Sequence, residues 1–89
     1  MKNIVKRNIK GGPDLKAIGR RIREIRGFDL NQSEFGRIFR IGQAQLSKYE
    51  MGLSAPTLEF LLALKRYSGK TIDWIVAGEE AENPKRSSH

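Results

Sequence analysis

Four polar side chains, Gln43, Gln45, Ser47 and Lys48, crowd into the eight-residue stretch QAQLSKYE at positions 43–50. On a helix, at about 100° per residue, Leu46 and Tyr49 share one side of that stretch. Ala44 and Lys48, four apart, stack on the opposite side, with Gln43, Ser47 and Gln45 on the flanks and no carboxylate at the outward centre. A carboxamide gives and accepts one hydrogen bond, which matches adenine N6 and N7; an ammonium donates to guanine O6 or N7; a methyl such as that of Ala44 touches a thymine methyl. The chemistry open to this surface is recognition of base edges, not the making or breaking of bonds. Taken singly, each residue is equally an ordinary solvent-facing helix residue. Three coincidences weigh against that: the helix is the second of a closely spaced pair, its outer centre lacks acids, and Gln32 begins the helix before it.

Catalytic chemistry has little to stand on. The chain has 89 residues, no cysteine, and a single histidine, His89, at its last position. Paired carboxylates, a phosphate-cradling glycine loop and metal-ligand spacings are all missing, so no enzyme activity, metal or cofactor is expected. Net charge is +7 and the pI is near 10.2, which makes a polyanion the first partner to consider. Residues 1–31 hold nine Lys/Arg against three Asp/Glu, while residues 32–89 hold eight against seven. The excess therefore sits in the amino-terminal third. MKNIVKRNIK carries no apolar run of signal-peptide length, and the leucines around 61–64 are too few to span a bilayer, so a cytoplasmic protein without membrane contact is expected.

Positioning the 43–50 stretch requires a scaffold, and helical periodicity supplies one throughout. Residues 1–12, ending at Gly11-Gly12 before Pro13, read as a flexible basic arm. Its Lys2, Lys6, Arg7 and Lys10 are either a solvated tail or a strand of charge laid along a groove, and both readings stay open. Residues 13–78 read as the folded domain. Leu15, Ile18, Ile22 and Ile25 repeat at helical steps from Asp14 to about Arg26, and Arg26 projects beside that apolar face. Asn31 can cap a second helix whose inner face is Phe35, Ile38 and Phe39; Arg40-Ile41-Gly42 is a turn; the third helix covers 43–50 and stops at Met51-Gly52. Pro56 and Thr57 open a fourth helix with Leu58, Leu61, Leu62 and Leu64 inward. Thr71 can cap a last short helix containing Ile72, Trp74, Ile75 and Val76, with Trp74 assigned to the core. Residues 79–89, with no apolar content, read as a disordered tail. No window of four to eight residues alternates polar and apolar residues with β-branched enrichment, so the fold class expected is all-α, a compact bundle of five short helices.

Two helices joined by a three- or four-residue turn form a helix-turn-helix, whose second helix enters a major groove about 12 Å wide. The stretches LNQSEFG, LSKYEMGLSAPTLEFLLAL and IDWIVAGE resemble the helix-turn-helix family of Cro and the phage repressors, the xenobiotic-response-element type, with a lambda-repressor-like DNA-binding domain. The likeness runs from about Leu15 to Gly78. It implies sequence-specific binding of double-stranded DNA by a homodimeric transcriptional regulator, a repressor by type, with Gln43, Ala44, Gln45, Ser47 and Lys48 reading bases. The phosphate contacts it implies are Gln32, Asn31, Arg40, Gly42 and Ser54, with Gln32 and Gln43 touching each other. It also implies a structural ion pair between Arg26 and Glu50, and a dimer surface on the exposed remainder of the last helix, at Ile75 or Val76.

Three positions depart from the pattern. Arg40 stands where glycine is common because the backbone is left-handed, a cost of roughly 1 kcal/mol or more. Gly42 stands where Ser or Thr often caps the recognition helix, and Met51 where some phage repressors carry a phosphate-binding Asn. The competing function is an antitoxin or adaptor module that chiefly binds a protein partner. A neighbouring toxin gene would favour that role, and a divergent promoter would favour autoregulation.

Overall fold

Each helix begins where one side-chain oxygen can satisfy a free amide, with one exception. In the computed structural model, which describes residues 12–78, Asp14 accepts from the Ala17 amide at 3.1 Å and opens α1, Leu15–Arg26. Arg23 and Arg26 lie in its last turn, where positive charge complements the helix dipole, and Gly27 ends it at φ 70°. Asn31 and Glu34 form a reciprocal capping box at the start of α2, Gln32–Ile38, with bonds of 2.8 and 2.9 Å. The exception is α3, Gln43–Glu50, which Gly42 opens without any side-chain cap. Thr57 and Thr71 cap α4, Leu58–Ser68, and α5, Ile72–Ala77, accepting from the Phe60 and Trp74 amides at 3.0 and 2.9 Å. Left-handed Gly69 and Gly78 stop these last two helices. The expected arm with its Lys2, Lys6, Arg7 and Lys10, and the expected tail, lie outside the described residues apart from Gly12.

The molecule is all-α, five helices with no strand among the described residues. Its core gathers Ile18 and Ile22 from α1, Phe35 from α2, Leu46 and Tyr49 from α3, Phe60 and Leu64 from α4, and Ile75 from α5. Burying a side chain of this size contributes about 1.5–3 kcal/mol, so every helix depends on the others for its stability. Aromatic rings fill the space between α2 and α4. Phe39 meets Phe35 and Phe60 edge-on at centroid distances of 5.0 and 5.2 Å, and Tyr49 meets Phe60 at 5.0 Å.

That aromatic cluster corrects the expected inner faces. Phe60 and Leu64 point inward from α4, while Leu58 is 68% and Leu62 is 40% exposed. Ile38 is half exposed as well, because α2 ends there and the chain turns so that Phe39, not Ile38, reaches the core. Ile75 is a further correction. Expected on an exposed surface that could pair two copies, it has no exposed area, because the short α5 packs on both α1 and α4 and Ile75 joins their common core. Val76 and Trp74 are partly buried against the same core.

Candidate nucleic-acid interface

A four-residue connection, Phe39 to Gly42, folds α3 back across α2. The Ile41 amide donates to the Gly36 carbonyl at 3.0 Å. A β-carbon at Gly36 would stand 2.7 Å from the Ile41 carbonyl oxygen, so the turn closes only over glycine. Arg40 takes the left-handed conformation, φ 60°, and is the only non-glycine to do so among the described residues. Its guanidinium is carried outward on an exposed residue.

Within this frame the structure joins four side chains into one chain of hydrogen bonds. Arg26 of α1 grips Glu50 of α3 with two parallel bonds, Nε to Oε2 at 2.7 Å and Nη2 to Oε1 at 2.8 Å. Glu50 keeps only 2% of its side-chain surface exposed and Arg26 15%. Its hydrogen bond to Glu50 raises the Arg26 pKa above its ordinary value against the opposing effect of burial, with the carboxylate's charge adding to the rise. Arg26 also donates through Nη1 to the Leu30 carbonyl at 3.1 Å. The α1 end, the loop after it and the α3 end are thereby tied at one point.

Beyond the ion pair, Gln32 Nε2 donates to Glu50 Oε1 at 2.9 Å, and Gln43 Nε2 donates to Gln32 Oε1 at 2.7 Å. The direction of this chain is forced. An ionised carboxylate only accepts, so Gln32 must turn its NH2 group toward Glu50 and its oxygen toward Gln43. Gln43 must then answer with its own NH2 group. Among the described residues, what remains free on Gln43 is its carbonyl oxygen and one N–H, an acceptor and a donor on an exposed side chain.

Along α3, Gln43, Ala44 and Lys48 are exposed, Gln45 and Ser47 are half-buried, and Leu46 and Tyr49 face the core. The amides of the first α3 turn have no side-chain cap from Gly42, which leaves donors at a positive helix end. Asn31 spends its side-chain oxygen on its own helix cap, so its NH2 group is what it has for an outside contact. The loop after α3 folds onto the helix end: the Leu53 amide donates to the Lys48 carbonyl at 2.9 Å, and Gly52, at φ 75°, passes against the backbone of Lys16. Ser54 in that loop is half-buried, whereas Met51 and Leu53 are exposed.

Two residues that pattern reading passed over shape this frame. Arg21 donates through Nη1 to the Ile75 carbonyl at 3.0 Å, tying α1 to the end of α5. Gly19 lets the carbonyls of Tyr49 and Glu50 approach the α1 backbone. A glycine in mid-helix was the available signal for the second; nothing in the periodicity marks the first. An open trough of about 1000 Å³ lies beside the fully exposed Phe28, lined in part by Arg20, Arg23 and Glu24. No helix among the described residues is long and apolar enough to cross a membrane.

A family model described as helix-turn-helix matches residues 20–75, more than half of the chain and the whole of α2, the turn and α3. No curated protein and no solved structure matches the chain.

Proposed function

The chain belongs to the helix-turn-helix family, of the Cro type, whose members bind DNA and regulate transcription, and from that premise we propose that it reads a specific duplex through α3, as a dimeric repressor. Gln43, Ala44, Gln45, Ser47 and Lys48 supply base selection in the major groove. Gln32, the Asn31 NH2 group, Arg40, the α3 amides after Gly42, and Ser54 hold the phosphates on either side. Phosphate contacts fix the register and supply general affinity, and base contacts choose the site.

The observation that carries this reading is the polarised chain from Arg26 through Glu50 and Gln32 to Gln43. It ends in an exposed carboxamide whose orientation is set from within the protein, and adenine demands an amide presented with donor and acceptor both free. An exposed glutamine on an unconstrained helix would sample several rotamers and lose that entropy on binding. Gln43 has already lost part of it.

Replacing Gln43 with Ala is expected to weaken binding to the preferred site by about 1–3 kcal/mol and binding to random duplex far less. The preferred site comes from selection out of a random pool, and the comparison from fluorescence anisotropy at fixed salt. Equal losses on both duplexes would show that Gln43 does not read sequence. Removing residues 1–10, which hold four Lys/Arg, is expected to flatten the dependence of log K on log salt by as much as about 0.9 for each phosphate those charges neutralise. An unchanged slope would assign them no part in DNA binding.

A further inference from the structure

The outward side of α4 is the surface least explained by a solitary domain. At about 100° per residue, Leu62 lies directly opposite the midpoint of Phe60 and Leu64, the two residues α4 buries in the core. Leu58 is one turn earlier on that same outer side, and Leu58 and Leu62 are 68% and 40% exposed. Charges flank the leucines in a patterned way. Glu59 and Arg66 are seven residues apart and share one flank of Leu62, with the acid in the first turn and the base in the last; Lys65 takes the other flank.

We propose that this face of α4 docks on the same face of a second copy of the chain, the two α4 helices running antiparallel with Leu62 at the two-fold axis. The proposal rests on the reading of a DNA-bound dimer and replaces the expected surface at Ile75 or Val76, since Ile75 is spent inside the core and Val76 is partly buried against it. Antiparallel packing follows from the charges. A two-fold axis that reverses one helix keeps each flank facing its own kind, so Glu59 of one copy meets Arg66 of the other, twice. A parallel two-fold would instead turn that flank toward the Leu58 and Lys65 flank of the second copy, with Glu59 level with Leu58 and no acid opposite a base. The stem of Lys65 then lies over Leu58 of the second copy, covering the remaining apolar surface while its ammonium stays in water. A contact made by one helix of 11 residues is small beside the roughly 1,200–2,000 Å² of a stable interface. The copies therefore associate weakly in solution and firmly when one duplex holds both.

Sedimentation equilibrium of the full chain over a wide concentration range, paired with binding to DNA carrying one or two half-sites, tests this. The wild-type chain is expected to form a dimer as concentration rises. Leu62→Lys, on an exposed position, is expected to keep the wild-type circular dichroism and melting temperature, to sediment as a monomer, and to fill two half-sites without cooperativity while keeping its affinity for one. Glu59→Arg is expected to weaken dimerisation about tenfold or more, and adding Arg66→Glu to restore it to within about threefold. A wild-type chain that stays monomeric, a Leu62→Lys chain that dimerises normally, or a charge swap that fails to restore pairing would overturn the proposal. Loss of all site preference with dimerisation intact would instead strike at the DNA-reading function and leave the α4 interface standing.

Discussion

Arg26→Ala is expected to cost about 3–5 kcal/mol of folding stability, because it leaves the Glu50 carboxylate buried without its counter-charge. Glu50 keeps 2% of its side-chain surface exposed, so water cannot take the place of the guanidinium. A domain of this size is held by only about 5–15 kcal/mol in total, which puts the variant close to unfolding at room temperature. Urea titration followed by Trp74 fluorescence measures the loss, and a change below about 1 kcal/mol would show that Glu50 finds another partner. The informative companion is Arg26→Met with Glu50→Leu. Replacing both members of a buried pair by apolar groups is often neutral for stability, so this double variant is expected to fold. It cannot hold Gln32, whose NH2 group now donates to Glu50 at 2.9 Å, and so it cannot fix the amide direction of Gln43. Its preference for the selected site over random duplex is expected to fall by roughly tenfold, corresponding to about 1.4 kcal/mol. A stable double variant with undiminished preference would mean that the ion pair serves folding alone.

What could be read ahead of the structure, and what could not, follows how far each decision reaches through space. Helix starts at Asp14, Asn31, Thr57 and Thr71 were legible because one side-chain oxygen and an amide three residues on settle each of them. The amphipathic face of α1 was legible over twelve residues, enough for more than three turns to fix its phase. In α4, leucines lie on inner and outer sides alike, and the choice between them is made by the aromatic rings of Phe35, Phe39 and Tyr49 that receive Phe60. The six residues of α5 make under two turns, too few to fix a phase, and its packing on α1 and α4 set Ile75 inward. On the site, the exposed positions of α3 could be set out on a wheel, but the half-burial of Gln45 and Ser47 depends on neighbouring helices. The bond from Gln32 to Glu50 joins residues 18 apart and belongs to the packing of α2 on α3, beyond any local pattern.

Gly19→Ala is expected to be the most damaging of the small substitutions, costing about 3 kcal/mol or more. Helix propensity alone argues the other way, since alanine in mid-helix is favoured over glycine by about 0.8–1.0 kcal/mol. The sign is reversed by where α3 ends. A β-carbon on Gly19 would overlap the Glu50 carbonyl oxygen and stand 2.6 Å from that of Tyr49. Both obstacles are backbone, so no rotamer change relieves them; α1 and the end of α3 have to move apart. Overpacking typically costs about 1–3 kcal/mol, roughly the range for side chains that can shift, and a rigid obstacle belongs at or above its top. Separation of the helices also lengthens the Arg26–Glu50 bonds of 2.7 and 2.8 Å, so stable folding and the placement of Gln43 fail together. Gly42→Ser is the matched control: its φ of −75° suits any residue, no atom lies within 4 Å of a new β-carbon, and a hydroxyl there can cap α3. That variant is expected to be more stable by a few tenths of a kcal/mol. Urea midpoints for the two variants should therefore move in opposite directions, and a Gly19→Ala protein at least as stable as the wild type would show that α1 and α3 are not in backbone contact at this point.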